Sequence, residues 1–137
     1  MAMSTPNLLM AMDHPEKNTK TLKIGVVGCG GRGTSAAAQA LTADKNTVIW
    51  ALADAFSSPI PAALSQLEEF GERANVSKER QFKGLDSFEK LLKSGIDVVF
   101  LTSPPAFRPE HIAAAVKAGV HIFAEKPCAV DMAGVQS

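Results

Sequence analysis

From Lys20 onward the chain alternates short apolar runs with longer stretches of mixed composition, the rhythm of strand–helix–strand units wound around a parallel sheet. The first run, Leu22 to Val27, leads straight into a cluster of glycines. An alanine-rich helix is predicted behind it, from about Thr34 to Ala43, and its small side chains allow close approach to the sheet. Val48 to Ala53 is the second run and stops at Asp54. Pro59 and Pro61 are tolerated in a first helical turn, so a helix is predicted from there to about Ala74. Gln81 to Gly84 reads as a short edge strand. Asp86 and Ser87 are placed to cap a helix with Phe88, Leu91 and Leu92 on one face and Ser94-Gly95 as its stop. Ile96 to Leu101, apolar but for Asp97, is expected to be a central strand covered on both faces. Thr102-Ser103-Pro104-Pro105 reads as loop, because prolines cannot continue a ladder. Pro109 opens a helix with Ile112 and Val116 on one face, Gly119 ends it, and Val120 to Ala124 makes a fifth strand closed by Glu125-Lys126-Pro127. Asp131 is placed as the N-cap of a last helix running toward Ser137.

These elements predict an α/β fold: a three-layer, doubly wound parallel sheet of order 3-2-1-4-5 over residues 21–137, behind a flexible leader over residues 1–20. A length of 137 residues suits one domain, and an apolar fraction of 46% suffices for a core. The 14 basic and 14 acidic residues cancel, which argues against a nucleic-acid binder and a membrane-surface protein and leaves a small molecule as the expected partner. No run of about 18 apolar residues offers a membrane span, and the leader lacks the apolar core of a signal peptide. Cys29 and Cys128 belong to no metal-binding cluster, so no metal site is expected and a reducing cytoplasm is the expected compartment. No repeat or low-complexity tract interrupts the pattern.

Gly28-Cys29-Gly30-Gly31-Arg32-Gly33 fits G-x-G-x-x-G, with separate tasks for its glycines: a tight turn at Gly28, backbone access for a pyrophosphate at Gly30, close helix packing at Gly33. The hexad follows a strand, opens a helix, and precedes Asp54 by one βα unit, which is the context of a dinucleotide-binding Rossmann fold. Unpaired amides at the helix start would meet the phosphates. Asp54 can accept hydrogen bonds from the adenosine ribose hydroxyls and repel a 2′-phosphate, which favours NAD over NADP; it can also simply cap a loop. Arg32 can reach the pyrophosphate or a 2′-phosphate, or stand in solvent. Cys29 occupies the variable position and contributes mainly its backbone N–H.

In a doubly wound sheet the ligand lies across the carboxyl ends of the strands, where Thr102 to Pro105 and Glu125 to Pro127 fall. A lysine at such a strand end, Lys126, can orient a substrate hydroxyl and stabilise charge, or can be half of a solvated Glu-Lys pair before a turn proline. KIGVVGCGGRG, ALAD and VVFLTSPPAFRPEHIAAAVKAGVHIFAEKP, in that order, resemble the N-terminal domain of the glucose-fructose oxidoreductase, inositol dehydrogenase and rhizopine-catabolism family (Gfo/Idh/MocA) over Leu22 to Val130. The resemblance implies hydride transfer between nicotinamide and a sugar, polyol or related hydroxyl or carbonyl compound. It implies Lys126 as the active-site lysine, Glu125 near the nicotinamide ribose, and Thr102, Ser103 and Pro104 in the cofactor loop. His111 matches a histidine that follows this loop, and can equally cap or pack its helix; His121 is expected to be structural and His14 to have no role. Ala106 stands where the family often carries a polar or histidine side chain, which puts substrate contacts from that loop in doubt. The chain is expected to stop near its last helix, without the family's C-terminal α/β domain, and so to turn over little or nothing alone, with homo-oligomers forming only through that domain. Two other readings stay open: a stand-alone NAD-binding sensor or partner module, and a fragment of an NAD-assisted glycosidase.

Overall fold

The structure is a computed structural model that describes residues 20–136. All of the leader read over residues 1–20 except Lys20, and His14 with it, lies outside the described residues. Five strands, β1 (Leu22–Val27), β2 (Thr47–Asp54), β3 (Gln81–Lys83), β4 (Val98–Leu101) and β5 (His121–Ala124), form one parallel sheet of order β3-β2-β1-β4-β5. Parallel neighbours require crossovers, which the helices supply: α1 (Gly31–Ala43), α2 (Pro59–Gln66), α3 (Ser87–Leu92) and α4 (Arg108–Ala118), followed by a short α5 (Met132–Gln136). The expected topology and layering are those observed.

The alternation of side chains along β1 builds a core on each face of the sheet. Ile24 and Val26 pack with Ala36, Ala37 and Leu41 of α1 and Ile60 and Ala63 of α2. Val27 faces the other way, among Phe88 and Leu91 of α3, Val99 and Leu101 of β4 and Ala115 of α4. Ile24 pairs with Ile49 but Gly25 with Ala51, so Trp50 is the extra residue of a bulge. Its indole then donates to Ser94 O at 2.8 Å.

Four expectations are corrected. The helix from Pro59 does not run to Ala74: α2 stops at Gln66 and gives way to tight 3₁₀ turns over Glu68–Ala74, interrupted at Gly71, whose φ is +61°. The break swings Arg73 onto the end of α1, where its guanidinium donates to Leu41 O (2.7 Å), Asp44 O (2.6 Å) and Thr47 O (3.0 Å). β4 starts at Val98 instead of Ile96, because Asp97 accepts the Lys23 amide on its carboxylate at 2.9 Å. Asp86 puts no side-chain cap on α3; its carboxylate pairs with Lys90 at 3.1 Å. In α4 the buried face is Arg108, His111 and Ala115, whereas Val116 is 65% exposed and Ile112 only partly covered. Asp131 does cap α5, its carboxylate accepting the Gly134 amide at 2.8 Å.

Candidate functional site

The carboxyl ends of β1, β2, β4 and β5 open onto a cavity of about 620 Å³, within the usual range of small-molecule sites, roughly 300–1,000 Å³. The sheet order reverses its direction of growth between β1 and β4, which is where such a crevice is expected.

Its floor is the glycine turn. Gly28 has a φ of +90°, and a Cβ there would lie 2.5 Å from Ser103 N. A Cβ on Gly33 would lie 1.9 Å from Gly28 O and 2.7 Å from Thr102 Oγ1, so α1 can approach the turn only through glycine. Gly30 and Gly31 are the opposite case: a Cβ on either meets no heavy atom within 4 Å, because both face the cavity. No side chain caps α1, and its first amides have no intrahelical acceptor. A cradle of bare backbone at a helix N-terminus suits a pyrophosphate, and in this respect the residues present fit a dinucleotide.

Asp54 closes the turn from β2. Its Oδ2 accepts Cys29 N at 2.8 Å and its Oδ1 accepts Phe56 N at 2.9 Å, so the loop-capping role is real, while each oxygen keeps further acceptor capacity and the residue lines the cavity. Cys29 is the one predicted site residue that does not line the cavity: its amide is committed to Asp54, and its thiol is buried 3.5 Å from Ala53 O. Burial, with the Asp54 charge adding to it, pushes that thiol up to about 12, far from a thiolate at neutral pH.

On the other side, the Thr102 hydroxyl sits 3.0 Å from Val27 O and 2.8 Å from Gly28 O, tying the end of β4 to the turn. Ser103 Oγ and His111 Nδ1 share a hydrogen bond of 2.9 Å, and the imidazole packs against Phe88 with the rings tilted by 37° and centroids 4.3 Å apart. Burial, then the nearby Arg108 charge, lowers His111 from 6.5 to about 4, so it is neutral at physiological pH. His111 lines the cavity yet is only 6% exposed, so its packing role is evident. Pro104, Glu125 and Lys126 also line the cavity. Arg32 is not free in solvent: its Nε hydrogen-bonds the Glu125 carboxylate across the opening, which holds that carboxyl below the ordinary carboxylate range. His121 is exposed on β5, away from the cavity, and Ala106 does not line it.

The sequence reading missed Arg108, Phe56 and Leu85. Phe56 and Leu85 line the cavity while remaining 72% exposed. Arg108 is 2% exposed, and its guanidinium donates to the carbonyls of Ser103, Glu125 and Pro127. The available signal was a cation on the helical face shared with His111 and Ala115. Among the described residues, no three His, Cys, Asp or Glu side chains gather as metal ligands would, and no helix is long and apolar enough to cross a membrane.

A family model described as "Oxidoreductase family, NAD-binding Rossmann fold" (GFO_IDH_MocA) matches residues 22–137. The dTDP-3,4-didehydro-2,6-dideoxy-alpha-D-glucose 3-reductase of Actinomadura kijaniata is 28% identical over 120 residues, covering 88% of this chain and 32% of the reductase. Scyllo-inositol dehydrogenase from Lactobacillus casei, solved with NAD(H) and scyllo-inositol, superimposes with a TM-score of 0.67 at 29% identity, covering 85% of this chain and 31% of that one. Myo-inositol dehydrogenase from Lactobacillus casei, at 24% identity and a TM-score of 0.68 over 85% of this chain and 31% of its own, supports the fold alone. The chain thus spans about a third of the length of these relatives.

Proposed function

The chain belongs to the Gfo/Idh/MocA oxidoreductase family as an NAD-binding domain, and from that premise we propose that its parent activity moves a hydride between nicotinamide and a carbon bearing a hydroxyl or carbonyl group in a sugar, polyol or related small molecule. One observation carries the reading: the glycine turn, Asp54 and Lys126 open onto a single cavity.

NAD, when bound, supplies the hydride acceptor or donor at its nicotinamide. The start of α1 and the bare backbone at Gly30 and Gly31 bind the pyrophosphate. Asp54 uses its remaining lone pairs for ribose hydroxyls, and its charge opposes a 2′-phosphate, so NAD is preferred to NADP. Phe56 and Leu85 offer apolar surface to the adenine ring. Arg32 and Glu125, hydrogen-bonded to each other at the cavity, would help hold the cofactor there, with Glu125 as the group for the nicotinamide ribose. Lys126 donates a hydrogen bond to the reacting oxygen of the substrate and stabilises its negative charge, while in the oxidising direction the hydroxyl proton would pass to a base of the second domain and the hydride to the nicotinamide. Thr102, Ser103 and Pro104 form the wall facing it, and His111, neutral, holds Ser103. The remainder of the substrate site, and any homo-oligomer, belongs to a second α/β domain in the parent protein, and the compartment proposed is the cytoplasm. The sensor and glycosidase readings gain no separate support from the family or the relatives.

Calorimetric titration with NADH and NADPH tests the cofactor half of the reading. Gly30→Trp fills the cradle from a position whose Cβ meets no heavy atom within 4 Å, and is expected to weaken NADH by at least about tenfold while the unfolding midpoint is kept. Tight NADH binding that survives Gly30→Trp would sink the proposed pyrophosphate site.

A further inference from the structure

Lys126 is exposed and lies just past the sheet: the last strand residue is Ala124, and the final bond to β4, from Glu125 N to Leu101 O at 3.0 Å, stops one residue short of it. Something else must fix it if it is to meet a substrate at a defined place. Arg108, at the start of α4, binds the backbone of this segment directly, whereas Arg32 reaches it only through the Glu125 side chain. Its Nη1 donates to the carbonyls of Glu125 and Pro127, one on each side of Lys126, the second at 2.5 Å, and its Nη2 donates to the carbonyl of Ser103. A single planar fork therefore ties the segment after β5 to the segment after β4.

The arrangement exceeds what closing a loop requires. Burying a guanidinium is costly unless its donors are satisfied, and among the described residues no carboxylate takes a hydrogen bond from this one. Its Nε, also buried, has no hydrogen-bond partner among the described residues. A neutral side chain of similar length would fill the space with less desolvation. Only a guanidinium offers donors in fixed, divergent directions to carbonyls on two segments; an ammonium on a flexible stem does not.

We propose that Arg108 is the positioning residue of the cavity half formed by β4 and β5: by gathering the carbonyls of Ser103, Glu125 and Pro127 it sets where Lys126 stands and shapes the wall that receives the nicotinamide end of the cofactor. The proposal rests on the reading of the cavity as a dinucleotide site. Arg108 is almost wholly buried at the edge of the cavity, and its effect passes through the backbone on both sides of Lys126. The glycine turn and Asp54 lie on the other half of the cavity and take no hydrogen bond from it.

ADP-ribose has the adenosine, pyrophosphate and second ribose of NADH but no nicotinamide, so the ratio of the two affinities isolates the half that Arg108 organises. The full chain, Arg108→Lys and Arg108→Gln are titrated calorimetrically with both ligands, with urea unfolding of each variant alongside. In whichever variant unfolds cooperatively, NADH is expected to weaken on the order of tenfold and ADP-ribose by less than about twofold, with Lys the milder of the two replacements. Equal weakening of both ligands would make Arg108 a general support of the fold and overturn the proposal. So would an unchanged ratio, or a loss of folding in both variants. An unaltered chain that binds neither ligand would instead remove the dinucleotide reading, and the proposal would fall with its premise.

Discussion

The two halves of the cavity are built on opposite principles. On the β1–β2 side the walls are backbone, and the key positions are those where a side chain is missing: Gly28 and Gly33 have no room for a Cβ, and Gly30 and Gly31 leave theirs to the ligand. The core beneath is apolar, with Val26, Ala37 and Leu41 each 1% exposed. On the β4–β5 side the walls are held by buried polar groups, Ser103, Arg108 and His111, which hydrogen-bond to loop backbone or to one another. The first half has no room for a side chain at Gly28 or Gly33, and the second depends on keeping its buried polar groups paired.

Adding one methyl group to the first half should have the largest effect. Gly33→Ala would place a Cβ 1.9 Å from Gly28 O, a contact that a rigid turn and a packed helix cannot both accommodate. The expected loss is about 3–5 kcal/mol in urea unfolding; a variant within about 1 kcal/mol of the parent would show that α1 and the turn can separate freely. In the second half a proton does the comparable damage. His111 falls from 6.5 to about 4 on folding. Between those values the unfolded chain binds a proton that the folded chain refuses, so stability rises with pH across that window. The contribution is complete above pH 6.5 and drains as the pH falls toward 4, by up to about 3 kcal/mol. Unfolding at neutral pH and near the lower end of the window, for the parent and for His111→Asn, isolates it: the parent should lose more, and equal losses would clear His111 of the effect.

The same contrast explains what was legible in the sequence. Glycine signatures and apolar runs mark the β1–β2 half directly, and the strand order, the phosphate turn and Asp54 follow from them. The face of α4 was misread because apolar periodicity selects Ile112 and Val116, whereas the buried stripe one position earlier carries an arginine and a histidine. A cation is read as solvated by default, and only tertiary contacts reveal three carbonyls waiting for it. The break after Gln66 was hidden for a related reason: Gly71 and Arg73 gain their roles only when the end of α1 stands beside them. Cys29 was assigned an amide for a ligand that Asp54 in fact occupies.

A third effect is smaller and acts on ligand choice. Asp54→Asn keeps one acceptor for the amides of Cys29 and Phe56 but removes the charge that opposes a 2′-phosphate. The NADH-to-NADPH affinity ratio is expected to fall by about tenfold, or about 1.4 kcal/mol. An unchanged ratio would reduce Asp54 to its loop-capping role and leave discrimination to other groups.

The smallest predicted change has the opposite sign from the first, although it lies on the same helix. Gly31 is the first residue of α1, its φ is not positive, and a Cβ there meets nothing within 4 Å. Alanine restricts the unfolded chain more than glycine does, so Gly31→Ala should stabilise the domain by about 0.4–1 kcal/mol. The added methyl projects into the cavity, however, and should weaken NADH by a few-fold. Unfolding and calorimetry on the same sample separate the two. If Gly31→Ala gains stability and loses affinity, the glycine is there for the ligand; if it loses stability, the turn itself needs that glycine, and the division between Gly33 and Gly31 drawn from their surroundings is wrong.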